Sequence, residues 1–169
     1  MSQEVVEMMQ EMDLEDVETQ IALQCAPVIA GVKISNLLIV PDSKASQARK
    51  LLENTDILCK ELLTTETQTT FLVYKQEKVE RYLERKKVRN LLQQLGYPAE
   101  DVTGFIEHKG KNFLYSGYWK VYKNLPAKKK LFCQYEQAKE TILQLMCCGV
   151  SIIDIIDIYH EEPLQRAAG

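Results

Sequence analysis

The chain is poor in histidine, has no paired-cysteine motif and no long apolar run, and each shortage closes off a class of function. The two histidines, His108 and His160, have no companion ligands at metal-binding spacing. Zinc needs three or four convergent ligands, so no metal is expected. The five cysteines, Cys25, Cys59, Cys133, Cys147 and Cys148, are odd in number and contain no Cys-x-x-Cys. With an acidic start, Met1-Ser2-Gln3-Glu4, where a secretory leader would be basic, they point to reduced thiols in a cytoplasmic protein. No apolar run reaches the roughly 18–20 residues of a membrane helix. Dinucleotide and serine-hydrolase glycine motifs are absent, and Gly110-Lys111 lacks the spacing of a phosphate loop. No cofactor is predicted.

Charge of one sign is missing from two stretches. Residues 1–32 hold seven acids and no Lys or Arg, whereas residues 108–135 hold seven lysines and no Asp or Glu. Two solvated faces that neutralise each other would explain this. So would a basic segment that meets an anionic partner.

The 169 residues suit a single domain over 1–169 with its own core. Residues 1–13 are expected as a helical extension and 161–169 as a frayed tail. Val5, Met8, Met9 and Met12 give residues 3–12 a helical stripe. Asp13 is the expected N-cap of the next helix, striped by Leu14, Val17, Ile21 and Cys25, which Pro27 should end or kink. Residues 36–40 read as a buried strand, and Asp42 or Ser43 as the cap of a helix to about residue 54. Residues 57–64 and 69–74 read as two more strands. The turn between them has neither Gly nor Pro, so a loose turn and weak register are expected. Residues 76–95 carry apolar groups on opposite faces, because Val79 and Val88 lie about half a turn apart; a break is predicted over 84–87. Pro98 should open a helix with Val102, Phe105 and Ile106 inward. Residues 109–124 give no clear pattern. A long helix over 126–148, striped by Leu131, Tyr135, Ala138, Ile142 and Leu145, ends at Gly149. Ser151 with Asp154 signals the start of a last short helix. The sum is α+β, with a small two- or three-stranded mixed sheet in the middle of the chain packed by helices from both ends.

Residues 108–122 stand out. They gather the only Trp, three of the eight Tyr and three Lys into fifteen positions. Ammonium groups interleaved with rings suit a planar or anionic ligand; a core strand with solvated lysines would use the same residues. The candidate binding residues are Lys109, Lys111, Asn112, Tyr115, Tyr118, Trp119, Lys120 and Tyr122. For nucleophilic catalysis the weak candidate is Cys25. A thiol at a helix C-terminal end has its pKa raised by the dipole, so a buried structural thiol is the plainer reading. The adjacent Cys147 and Cys148 point to different sides of a helix and do not suit one ion.

Residues 96–107 (Gly-Tyr-Pro-Ala-Glu-Asp-Val-Thr-Gly-Phe-Ile-Glu), then Gly110-Lys111-Asn112-Phe113 and Gly117-Tyr118-Trp119-Lys120-Val121-Tyr122, resemble a bacterial domain-of-unknown-function family typical of anaerobes. Cys25-Ala26-Pro27-Val28-Ile29-Ala30-Gly31-Val32-Lys33 with Asn36-Leu37 is similar to its N-terminal motif. The resemblance covers residues 20–158. It departs at Gln24, where a histidine is expected, which weakens a Cys–His mechanism. The resemblance implies a setting in iron or redox physiology and one site built from residues 25–33 and 109–122.

The expected function is that of a non-catalytic binding or accessory protein. Its Lys/aromatic segment would take an acidic protein, such as a flavodoxin-like carrier, or a phosphate-bearing small molecule. The alternatives are a small enzyme using Cys25 and an RNA-binding protein, the latter disfavoured by the net charge of −3 and by the lack of an RNA-binding motif.

Overall fold

The computed structural model describes residues 7, 10, 12–79 and 97–161. The helix expected over 3–12 falls mostly outside these residues, and the break at 84–87 and the tail beyond 161 wholly so.

Helix α1 (Val17–Ile29) starts at Asp16, whose side chain accepts from the Thr19 amide at 3.0 Å. Asp13, the expected cap, instead holds the preceding turn by accepting from the Glu15 amide. The helix also runs through Pro27 rather than stopping there. A proline near the end of a helix forfeits a single donor, and the turn is closed behind it. Ala30 N–H donates to the Ala26 carbonyl, and the amides of Val32 and Lys33 donate to that of Pro27. Gly31, at φ +68°, then turns the chain out.

Strand β1 (Ser35–Pro41) leads through a 3-10 turn (Asp42–Lys44) into α2 (Ala45–Leu52), and β2 (Ile57–Thr64) with β3 (Gln68–Lys75) completes a sheet of order β1-β3-β2. Both pairings are antiparallel, so the expected mixture of parallel and antiparallel neighbours is not found. Strands β1 and β2 run parallel to each other but are joined by a crossover through α2 that leaves β3 between them. Each therefore hydrogen-bonds only to an antiparallel neighbour. Asp42 does not cap α2; its carboxylate accepts from the Thr69 hydroxyl at 2.7 Å. The hairpin turn is also tighter than its composition suggests. The Thr65 hydroxyl accepts from the amides of Thr67 and Gln68, and the Thr65 amide donates to the Gln68 carbonyl at 2.9 Å. A threonine here takes the role usually given to Gly or Pro. Gln24, at the position where the family resemblance puts a histidine, covers β1: its side-chain amide accepts from Ile39 N–H at 2.9 Å and donates to the Ile39 carbonyl at 3.0 Å.

Beyond residue 97 the chain forms α3 (Ala99–Glu107), a minimal hairpin of β4 (Tyr115–Ser116) and β5 (Lys120–Val121), α4 (Leu125–Cys147) and α5 (Ile152–Glu161). Gly149 at φ +84° ends the long helix. Ser151 and Asp154 form the expected box, with the Ser151 hydroxyl donating to the Asp154 carboxylate and accepting from the Asp154 amide. The main core joins α1, the inner sheet face (Leu38, Val40, Phe71, Val73), α2 and α5. A second, smaller core of Val121, Phe132 and Tyr135 lies under the hairpin. Helix α4, roughly 35 Å long at 1.5 Å per residue, serves both: Ile142 and Leu143 enter the first core, Phe132 and Tyr135 the second. Among the described residues no helix is long and apolar enough to cross a membrane.

Candidate functional site

The segment without a sequence pattern is organised by one buried carboxylate. Asp101, in the first turn of α3, is 2% exposed. One of its oxygens accepts from the amides of Tyr122 (2.8 Å) and Lys123 (3.2 Å), the other from the Trp119 indole N–H (2.8 Å). An ionised carboxylate that gathers three N–H donors makes strong, charge-assisted bonds. It ties both ends of β5 to the helix. Gly104 lets the helix come this close, since a Cβ there would lie 2.5 Å from the Cβ of Tyr122.

The loop before the hairpin turns through three left-handed residues, Lys109, Gly110 and Asn112. It is held by Lys120, whose ammonium donates to the Gly110 carbonyl at 2.8 Å and lies over the rings of Phe113 (5.0 Å) and Phe105 (5.9 Å). Trp119 meets Phe132 edge-on at 4.6 Å and Tyr97 at 5.8 Å, and Tyr118 meets Tyr135 at 5.1 Å. Between α3 and the hairpin these rings leave a recess of about 300 Å³, lined by Tyr97, Val102, Phe105, Tyr118, Trp119 and Lys120, with Asp101 at its wall. The Tyr118 hydroxyl donates to Glu136 at 2.6 Å; burial, then this bond, pushes its pKa upward.

The expected binding residues divide into three groups. Lys109, Lys111 and Asn112 are exposed on the loop, and Tyr115 and Tyr118 are exposed on the hairpin. Trp119 and Lys120 are half-buried at the recess. Tyr122 is not available: it is buried against Gly104 and stacked on His108 at 5.7 Å. The basic run is also less free than its composition suggests, because Lys128 is buried and paired with Glu100 at 2.7 Å. Phe105 and Ile106, expected inward, are 46% and 63% exposed. Phe113, Leu114, Tyr115 and Tyr118 are exposed as well, and of these six apolar side chains Phe105 and Tyr118 line the recess.

Cys25 lies elsewhere, fully buried in the main core, and burial pushes its thiol up to about 12 against the opposing pull of Lys33. A thiol sealed from solvent whose burial favours the protonated form has the surroundings of a structural cysteine rather than of an activated nucleophile. The two motifs do meet, but through Lys33. Its ammonium donates to Asn36 at 2.8 Å and faces the rings of Tyr97 (5.7 Å) and Tyr135 (6.0 Å). Val32 packs on the same small core. Lys33 lies in the 25–33 segment expected to share the site, whereas the sequence does not single out Asp101 and Tyr97, because their partners are distant in the chain.

Among the described residues no three His, Cys, Asp or Glu side chains are grouped to hold a metal ion. In comparison with known proteins, a family model described as a protein of unknown function (DUF3793) matches residues 21–99 and 94–156. No curated protein and no solved structure matches the chain.

Proposed function

The chain belongs to this family of unknown function, DUF3793, and on that premise we propose that it is a non-catalytic binding protein that docks an acidic protein partner on the face formed by α3 and the 115–121 hairpin. The observation that carries this reading is the exposure of six large apolar side chains on α3 and residues 113–118, Phe105, Ile106, Phe113, Leu114, Tyr115 and Tyr118. The segment 108–135 that supplies four of them contains no acid. Contiguous exposed apolar surface on a folded protein marks a contact site. Exposed Lys109, Lys111 and Lys123 beside it favour a negatively charged partner and would steer its approach. An acidic flavodoxin-like electron carrier fits that description.

The recess supports a second reading, a phosphate-bearing planar cofactor stacked beside Trp119 with its phosphate near Lys120, because rings wall most of a 300 Å³ space.

Trp119 is the only tryptophan, so its emission reports on this face. Titration with purified flavodoxin and with poly-L-glutamate should give saturable emission changes whose affinity falls about tenfold or more from low to physiological salt. The Lys109→Gln/Lys111→Gln/Lys123→Gln variant should lose them. Flavin mononucleotide, titrated separately, tests the recess. No binding to either acidic probe at low salt, or binding indifferent to salt, overturns the docking proposal.

A further inference from the structure

A different surface carries a ligand site of its own. Between the C-terminal end of α1, the end of β3, α4 and α5 lies a recess of about 410 Å³, whose described lining includes Lys75, Lys78, Gln134, Gln137, Thr141 and Tyr159. None of its described lining residues is acidic. Lys75 ends β3 with its side chain only 10% exposed, held by Asp56 at 2.9 Å. An ammonium has three donor protons, so this pair leaves Lys75 able to donate again. The ammonium of Lys78 has among the described residues a single, long hydrogen bond, 3.4 Å to the Gly31 carbonyl. Gln134, Gln137 and Thr141 follow one another at three- and four-residue spacing, so α4 turns a polar stripe to the recess. The Thr141 hydroxyl donates to the Gln137 carbonyl at 2.9 Å. The carboxamides of Gln134 and Gln137 have no hydrogen-bond partner among the described residues.

A concave, partly desolvated space that presents two ammonium groups and two unengaged carboxamides, and no carboxylate, is complementary to an oxyanion. We propose that this recess binds a small metabolite through its phosphate or carboxylate group, with Lys78 as the charged donor, Gln134 and Gln137 as neutral donors, and Lys75, its charge matched by Asp56, as a further buried donor. Asp56 and Glu77 line an adjoining recess that shares Lys75, Lys78 and Tyr159. The Asp56 carboxylate is already matched by Lys75 and lies 3.1 Å from His160 Nδ1, so its repulsion of an anion is offset. This site shares no described lining residue with the recess beside Trp119, and it stands or falls independently of the docking face.

The test is thermal unfolding of the full chain in sodium phosphate and in sodium succinate, each against sodium chloride of matched ionic strength. Saturable stabilisation by phosphate alone assigns a phosphate ligand, by succinate alone a carboxylate, and by both a general oxyanion site. Lys78→Gln should weaken the stabilisation about tenfold, and Gln137→Leu should weaken it too, which guards against a single variant that fails to fold. The Lys109→Gln/Lys111→Gln/Lys123→Gln variant should keep it whole. Stabilisation by neither anion beyond the chloride control, or stabilisation that survives both Lys78→Gln and Gln137→Leu, overturns the proposal.

Discussion

At the scale of single residues, Asp101 determines more of the local structure than any of the rings that made the segment conspicuous. Its carboxylate accepts from one indole and two backbone donors, and Lys128 stands 3.8 Å away while bonded to Glu100. Asp101→Ala would strand the indole and two amides in a site with little water, at about 1–3 kcal/mol for each buried unpaired group. It would also remove a carboxylate from a nearly buried ammonium. The expected loss is about 3–5 kcal/mol, read from urea unfolding followed by Trp119 emission. Asp101→Asn should lose less, since it keeps one acceptor oxygen and misplaces only its amide. A loss under about 1 kcal/mol for the alanine variant would show that water replaces the carboxylate. Sequence alone could not single this residue out. An acid in the first turn of a helix reads as a favourable partner of the helix dipole, and the groups Asp101 binds lie 18 to 22 positions downstream.

Elements were more legible than their orientation. The three strands, the long helix α4 and the boxed start of α5 follow from apolar spacing, punctuation and capping, all local signals. Helix α3 shows where such signals stop. Val102, Phe105 and Ile106 share a stripe, but only Val102 is buried, and the side carrying Asp101 and Gly104 meets the hairpin. Periodicity identifies an apolar face; it does not say which side a neighbour will take when a small residue permits a closer approach elsewhere. Gly104 therefore serves packing, with no need for a left-handed backbone. Gly104→Ala would drive a methyl into the Cβ and Cγ of Tyr122, both 2.5 Å from where that methyl would stand. Tyr122 Cβ sits next to the main chain and cannot swing aside, so helix and hairpin must separate. Overpacking of this kind costs about 1–3 kcal/mol, and the variant should also shift Trp119 emission as the indole moves from Asp101. Gly149→Ala is the comparison: a Cβ there meets nothing within 4 Å and suffers only the strain of φ +84°, about 1 kcal/mol. Equal losses without any emission change in Gly104→Ala would contradict the packing role.

At the scale of the whole molecule, two cores share α4, and a buried titratable pair spans the distance between them: Cys25 in the main core, and Lys33 facing the rings of Tyr97 and Tyr135 beside the second. Burial lowers the Lys33 pKa from 10.5 to about 8, with a smaller opposing pull from Cys25, and raises that of Cys25 from 9.0 to about 12. The two shifts act on stability with opposite sign. Below pH 8 both folded and unfolded chains hold the Lys33 proton, and the fold bears the full cost of the buried charge. Between about 8 and 10.5 the unfolded chain still holds a proton that the folded chain has released, so stability climbs with pH. Between 9 and 12 the unfolded chain gives up a Cys25 proton that the fold retains, so stability drops. The expected curve rises by up to about 1 kcal/mol from pH 8 to 9, as one proton per pH unit allows. It levels where the two effects cancel, then falls above pH 10 as Tyr118 and Tyr135, also pushed up by burial, ionise in the unfolded chain. Urea unfolding at half-unit steps from about pH 7.5 to 10.5 measures it. Lys33→Met should remove the rise and Cys25→Ala should extend it past pH 9. A wild-type curve flat from 8 to 9, or a rise that persists in Lys33→Met, would mean that Lys33 reaches water and that the junction between the cores is more open than the contacts of its ammonium imply.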